Sequence, residues 1–427
     1  MPHHKALGEF RQVARPGIDN SFQPVVGATI GSQRRLTHEV RYIKGMFAPI
    51  SKLPQVGTTI FTVMTQRAIE TGAINLSQGF PNYDPPVRLK ELLAKQVAAG
   101  NNQYAPMTGV QALREQIALK LQRSYGRRVD PESEVTITLG ATEGIFSAIL
   151  ALVHPGDEVI IFDPSYDSYG PAILLAGGKP VPIPLQPPAF DIDWVRVAAA
   201  LSPRTRMIVI NSPHNPATGV LKSHDVEALA KLTRNTSIAV ISDEVYEHMV
   251  FDGRRHLSLC APPELAERTV CVFSFGKTLH ATGWRVGYTV ASPDLTREIR
   301  RVHQFNTFSI AAPLQHAIAE FLSEAPEHND RLAAFYQSKR DYFLERLRGS
   351  RFKFVPTAGT FFQLLDYSNI SDRQDVDFAD TLINEAGVAS IPLSPFYAEP
   401  PRLPYLRFCF AKNEETLAQA AERLAKL

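Results

Sequence analysis

From about residue 87 onward, short apolar runs alternate with amphipathic segments, and this alternation constrains the fold more than any other feature of the 427-residue sequence. Runs at 134–139, 157–162, 179–184, 205–211 and 237–242 have the length and composition of strands. Between them, 142–153, 169–176, 193–201 and 223–232 space their apolar residues for a helical face, which in the first is Ile145, Ile149, Leu150 and Val153. Crossovers this short imply a mostly parallel sheet covered by helices. Runs at 270–273 and 285–291 add two strands, giving a seven-stranded sheet in an α/β domain, and helices are expected at 87–99 and 110–125. After Pro293 the pattern changes. Helices at 295–304, 313–322, 330–348, 377–385 and 414–427, the last capped by Asn413, mix with extended segments at 352–355, 360–365 and 405–411. We expect a large domain at 86–311 and a smaller α+β domain at 312–427, which residues 46–85 join as an arm.

The first 45 residues stand apart. They carry seven Lys or Arg against three Asp or Glu, are broken by Pro16, Gly17, Pro24, Gly27 and Gly31, and keep neither a helical nor a strand period. They lack the apolar core of a secretory signal, while Glu9, Asp19, Glu39 and the scarcity of serine weigh against a transit peptide. We read them as a disordered extension, with Met46 as an alternative start. A net charge of +2 gives no nucleic-acid footprint, and no apolar stretch reaches the roughly 20 residues of a membrane span. Cys260, Cys271 and Cys409 are isolated, which suits reduced core thiols in a cytoplasmic protein.

Open α/β sheets bind ligands at the carboxyl ends of their strands, and several chemically loaded residues fall there. Lys277 follows the run 270–273 on a glycine-containing bend. A lysine held in a crevice loses hydration, its pKa falls, and its amine becomes a nucleophile towards a carbonyl. Ser274 and Arg285 flank it with a hydroxyl and a fixed cation, a pairing suited to a phosphate ester. Taken alone, such a lysine reads as a solvated loop residue; the other strand ends have to decide. Gly140 to Gly144 opens a helix whose free N–H groups, with the Thr142 hydroxyl, suit a phosphate, although glycine-rich turns are common for structural reasons. Asp243 ends the run 237–242, and a buried carboxylate there needs a cation such as a pyridinium nitrogen; the competing reading is a helix cap or surface acid. Asn215, in an Asn-Pro turn, can donate to a phenolate oxygen and a carboxylate or merely shape the turn. Tyr166 can stack on a flat ring or fill the core. Arg407 lies inside the apolar run 405–411, where its fork needs a carboxylate, internal or from a substrate. A lysine nucleophile, a phosphate cradle and a partner for a ring cation together fit pyridoxal phosphate.

With these segments in this order, the chain resembles the pyridoxal-phosphate aminotransferases of fold type I, class I/II, and is most similar to the methionine and kynurenine/glutamine aminotransferase group. The likeness runs from about residue 49 to 427. It is most specific at Ser274-Phe275-Gly276-Lys277-Thr278 with Thr282-Gly283-Trp284-Arg285, at Asn75 to Pro81, at Asn215 to Gly219 and at Tyr405 to Phe410. The resemblance implies an aspartate-aminotransferase-like fold in which Lys277 attaches the cofactor and then moves a proton between the substrate α-carbon and the cofactor. Asp243 would pair with the ring nitrogen, and Tyr246 and Asn215 would bond its phenolic oxygen. Ser274, Arg285, Thr142 and the Ala141 backbone would hold the phosphate, and Tyr166 would stack on the ring. Arg407, Asn215 and the Gly79 backbone would bind the α-carboxylate, and Phe61 and Tyr83 would line the side-chain pocket. Tyr104 and Phe308 would serve the neighbouring subunit of a homodimer. The implied reaction is ping-pong transamination between an apolar, aromatic, methionine- or glutamine-like L-amino acid and a 2-oxo acid. The lack of an obvious second arginine argues against aspartate. Two alternatives stay open: a cysteine-conjugate β-lyase, and a non-catalytic cofactor-binding regulator, which would need a nucleic-acid module that the first 45 residues do not resemble.

Overall fold

The computed structural model describes residues 49–427; the expected extension at 1–45 and the start at Met46 lie outside the described residues. Seven strands form the main sheet: β1 Val135–Thr138, β2 Glu158–Asp163, β3 Lys179–Pro184, β4 Thr205–Asn211, β5 Ala239–Asp243, β6 Thr269–Ser274 and β7 Gly287–Val290. Their order is β1-β7-β6-β5-β4-β2-β3, and all are parallel except β7, which runs antiparallel to both its neighbours.

Successive residues of the central strands enter two different cores. Met207, Val209, Ile241, Val270 and Val272 join one buried cluster, while Ile208, Ile210, Val240, Cys271 and Phe273 join the other. Strand side chains alternate between faces. Both faces are therefore covered, which is why these strands read as unbroken apolar runs. At the edge, Pro180, Pro182 and Pro184 of β3 put their missing donors on the side away from β2, while Lys179 and Leu185 donate to Asp157 and Asp163. The outer edge thus has few N–H groups to offer another strand.

Helix α1, Gly140–Leu152, leaves β1, and α2, Pro293–Asn306, leaves β7. A second, antiparallel sheet of β8 Phe362–Asp366, β9 Ile391–Pro392 and β10 Tyr405–Cys409 has the order β9-β10-β8. Residues 60–85 meet this part of the chain. A helix at Ile60–Thr71, capped by the Thr59 hydroxyl and not anticipated from sequence, ties Arg67 to Asp380 at 2.6 Å. Ile74–Asn75 then pairs with Val388–Ala389.

Three expectations change. The last strand of the main sheet starts at Gly287, not 285, because Arg285 takes a left-handed φ of 53°. The segment 352–355 forms only the single bridge between Lys353 and Asp366. The helix expected at 330–348 is a tight turn, His328–Arg331, followed by Leu332–Arg346. Asn413 caps the final helix as expected, accepting from the Thr416 N–H at 2.9 Å.

Topology sets the site. The parallel strands β1, β4, β5 and β6 end on one edge of the sheet, and antiparallel β7 begins there, with Gly287 opposite both Ser274 and Thr138. Arg285 is delivered to that edge because its strand runs the other way.

Candidate active site

A cleft of about 240 Å³ lies over this edge. Every site residue named from sequence lines it except Tyr83, Tyr104 and Phe308.

One end of the cleft is built for an anion. Leu139 supplies no side-chain cap to α1, so the first N–H groups of the helix face outward beside Ala141 and Thr142. Glycine is required in two places. Gly140 has φ 70°, and a Cβ there would come within 2.5 Å of the Arg285 guanidinium. A Cβ on Gly287 would lie 2.7 Å from the Gly140 carbonyl carbon and 2.8 Å from the Ala141 nitrogen. Both absences let Arg285 and the helix start close together. Arg285 donates to the Thr282 carbonyl at 3.1 Å and meets no carboxylate among the described residues.

At the centre, Lys277 sits on a single helical turn, Phe275–Thr278, directly after β6. Its Nζ donates to the Gly79 carbonyl at 3.2 Å and lies 5.4 Å from the Tyr246 ring and 5.2 Å from the Phe361 ring. Burial lowers its pKa to about 8, with Arg285 and Arg407 adding to the effect. Asp243 is 4% exposed and has no cation within ion-pair distance among the described residues. Burial lifts its carboxyl to about 6 although the Tyr169 hydroxyl donates to it at 2.6 Å. Asn211 braces the same corner by donating to the Asp243 carbonyl at 2.9 Å and accepting the Asn215 N–H at 2.7 Å.

At the far end, Arg407 on β10 is fully buried. It donates to Asn215 Oδ1 at 2.5 Å and to the Ser77 carbonyl at 2.9 Å, stacks 3.8 Å from the Phe362 ring, and leaves its Nε without a partner. Burial lowers its pKa to about 10. Phe61 lies 5.1 Å from the same guanidinium and packs on Phe396. Tyr246 is buried against Phe361, with its hydroxyl pKa raised by burial. Tyr166 meets Tyr169 edge to face.

Three residues named from sequence lie elsewhere. Tyr83 is packed between His280, Phe335 and Tyr336, and Tyr104 meets Phe308 edge to face at 5.3 Å on the surface. The sequence reading missed Tyr169, Asn211, Gln78 and Phe362. Only Asn211, a polar residue closing an apolar strand before a turn, carried a signal that could have found it.

The residues present fit pyridoxal phosphate. A buried carboxylate without a protein cation awaits a ring cation, an arginine beside a helix start awaits a phosphate, and the orphaned Arg407 Nε awaits an acceptor. Fold and site define a pyridoxal-phosphate-dependent enzyme. Residues 71–424 match the family described as aminotransferase class I and II. The chain is 54% identical over 379 residues to methionine aminotransferase of Escherichia coli, covering 89% of this chain and 98% of that one. It is 32% identical to human kynurenine–oxoglutarate transaminase 1, covering 84% and 93%. The crystal structure of YbdL from E. coli, identified with a methionine aminotransferase function, superposes with a TM-score of 0.88 over 90% of this chain and all of that one. The three-dimensional structure of N-succinyldiaminopimelate aminotransferase from Mycobacterium tuberculosis does so at 0.85, with 37% identity and coverage of 89% and 100%. The chain belongs to the class I and II aminotransferases and carries out pyridoxal-phosphate-dependent transamination.

Proposed function

We propose that the enzyme moves the amino group of methionine and of other apolar, aromatic or glutamine-like L-amino acids to a 2-oxo acid. The observation that carries this reading is Arg407: a fully buried guanidinium with no carboxylate partner among the described residues, at the end of the cleft where apolar rings gather. Its fork suits one α-carboxylate. Of the other cations lining the cleft, Arg285 belongs to the anion end and Lys277 to the centre, so no guanidinium is left for a second carboxylate. Phe61 and Phe362 offer apolar surface instead.

When bound, pyridoxal phosphate supplies a carbonyl carbon that takes up amines and a ring that withdraws electrons from the substrate α-carbon. The chain's own residues do the rest. Asp243, oriented by Tyr169, keeps the ring nitrogen protonated. Ser274, Arg285, Thr142 and the Ala141 N–H fix the phosphate, Tyr166 covers the ring, and Tyr246 and Asn215 bond its phenolic oxygen. Arg407, Asn215 and Gly79 orient the amino acid. Lys277, whose amine burial makes easier to deprotonate, would hold the cofactor and serve as the base that moves the substrate α-proton. Lys277→Ala should lower turnover by at least about 100-fold; near-normal transamination by that variant sinks the assignment. A panel of amino donors, followed by cofactor absorbance, tests the substrate class: a preference for aspartate over methionine overturns it.

We further infer a cytoplasmic homodimer, divided into a large domain at 86–311 and a smaller one at 312–427 joined by 46–85. Three buried free cysteines favour a reducing compartment. Tyr104, 84% exposed, and Phe308 form an aromatic pair that suits a neighbouring subunit's site better than solvent. Sedimentation of the holoenzyme tests the dimer.

A further inference from the structure

One buried polar contact outside the cleft joins the anion end to the exposed aromatic pair. Glu143 lies in the first turn of α1. One of its oxygens accepts the Leu139 N–H at 3.1 Å; the other accepts the Ser147 hydroxyl at 2.5 Å and faces Nδ1 of His303 at 2.9 Å. His303, on α2, is fully buried, and its Nε2 faces the Met107 carbonyl at 3.2 Å. Both ring nitrogens meet oxygens, so the ring satisfies both contacts only as a double donor. Glu143 and the Met107 carbonyl are the polar partners that such a buried ring requires. Burial pushes the Glu143 carboxyl upward, yet the hydrogen bond and charge of His303 bring it below its ordinary value.

Two chain segments radiate from this contact. The His303 carbonyl ends α2 by accepting the N–H groups of Thr307 at 2.9 Å and Phe308 at 3.0 Å, and Phe308 takes a left-handed φ of 68°. Met107 belongs to the loop that carries Tyr104. That loop is pinned to the same region by the Ser309 hydroxyl on the Ala105 carbonyl at 2.9 Å, and to β1 by the Ile137 N–H on the Thr108 carbonyl at 3.1 Å. One residue thus touches the helix whose N-terminus faces the anion end and, through its ring and its backbone carbonyl respectively, the Tyr104 and Phe308 segments.

We propose that His303 is a positioning residue that ties the phosphate cradle of its own subunit to the aromatic pair completing the neighbouring subunit's site. This rests on the dimer proposed above. Anchoring in one site and closure of the other then share one rigid part, and loosening it is felt in trans as well as in cis.

Mixed dimers separate the two effects. One subunit carries Lys277→Ala and cannot attach the cofactor covalently; the other keeps Lys277. His303→Gln, whose two N–H donors share one nitrogen and do not span the two oxygens that the ring bridges, is placed in the Lys277→Ala subunit. Loss of covalently attached cofactor from the intact Lys277 is then followed by absorbance during dialysis. Loss should be about tenfold faster than from mixed dimers with native His303, the size of effect typical of residues that orient a binding group from behind. Unchanged retention, in dimers still folded by circular dichroism and assembled by sedimentation, overturns the proposal. Glu143→Gln in the same subunit repeats the test if His303→Gln does not fold, and it too must act in trans. A chain that sediments as a monomer while retaining cofactor refutes the dimer instead, a separate outcome.

Discussion

Replacing Asp243 by asparagine exchanges a buried carboxylate for an amide of nearly the same shape, and apoenzyme and holoenzyme should respond with opposite signs. In the apoenzyme, burial lifts the Asp243 carboxyl from its ordinary 3.8 to about 6, against the lowering effect of the Tyr169 hydrogen bond. The folded group holds its proton more tightly than the unfolded one. Its contribution to stability is therefore fully present below about pH 4 and lost as pH rises through about 6. At about pH 7.5 the loss is about 3 kcal/mol, taking about 1.4 kcal/mol per pKa unit. Asparagine has no charge to desolvate and keeps an oxygen for the Tyr169 hydroxyl, so the apo variant should gain up to about 3 kcal/mol there and lose the pH dependence. Once the cofactor is bound, Asp243 has a cationic partner, and removing one member of a buried pair costs about 3–5 kcal/mol. Cofactor affinity should then fall by at least about 100-fold. Urea midpoints of apo and loaded protein between pH 4 and 8, with equilibrium dialysis of the cofactor, measure both limbs. An apo Asp243→Asn protein less stable than the parent at pH 7.5, or one with unaltered cofactor affinity, refutes the pairing.

Arg407→Ala should raise the KM for the amino donor by at least about 30-fold, since truncating a buried charged contact costs about 2–5 kcal/mol; a lost cofactor spectrum with unchanged KM would assign Arg407 to the cofactor instead. In the apoenzyme, acylation of Lys277, followed by mass spectrometry against pH, should reach half its plateau near pH 8, because burial and the two arginines disfavour its ammonium form. A midpoint near the ordinary 10.5 refutes that environment. Gly287→Ala places a Cβ 2.7 Å from the Phe273 carbonyl oxygen and from the Gly140 carbonyl carbon, backbone that cannot swing aside. It should cost about 1–3 kcal/mol in thermal unfolding and loosen the cofactor; a neutral result means that the β6–β7 edge is more pliant than its contacts imply.

What the sequence made legible was whatever has a local signature. The central strands announce themselves because both their faces are buried, and the residues just beyond their ends inherit a place in the cleft from topology alone. Arg407 could be singled out because a guanidinium inside an apolar strand contradicts its surroundings. Tyr169 could not: it sits on a short apolar helix as an ordinary core tyrosine, and its role comes from a hydrogen bond across 74 positions. Gln78 and Phe362 enter the cleft only through the packing of two distant parts of the chain, which no local period encodes. The shortened β7 has a similar origin, since the left-handed Arg285 meets a demand of its site, not of its strand.

The charges of the cleft bind these observations together. Arg285, Lys277 and Arg407 all lack a carboxylate within ion-pair distance among the described residues, and Asp243 lacks a cation. Arg285 opens to solvent, but Arg407 and Asp243 are buried, and natural interiors rarely keep unpaired ions because each costs several kcal/mol. Here they stand at separate stations along one cleft, the lysine partly neutralised and the carboxyl pushed upward by the same burial. A ligand that relieves all of them must carry a phosphate at the α1 end, a cationic ring nitrogen at Asp243, a carbonyl at Lys277 and a carboxylate at Arg407. Cofactor and amino acid together have that pattern, and neither has it alone. Arg407 should therefore govern substrate affinity while Asp243 and Arg285 govern cofactor affinity, so the Asp243→Asn and Arg407→Ala effects on cofactor binding should not be coupled in a double-mutant cycle beyond about 0.5 kcal/mol.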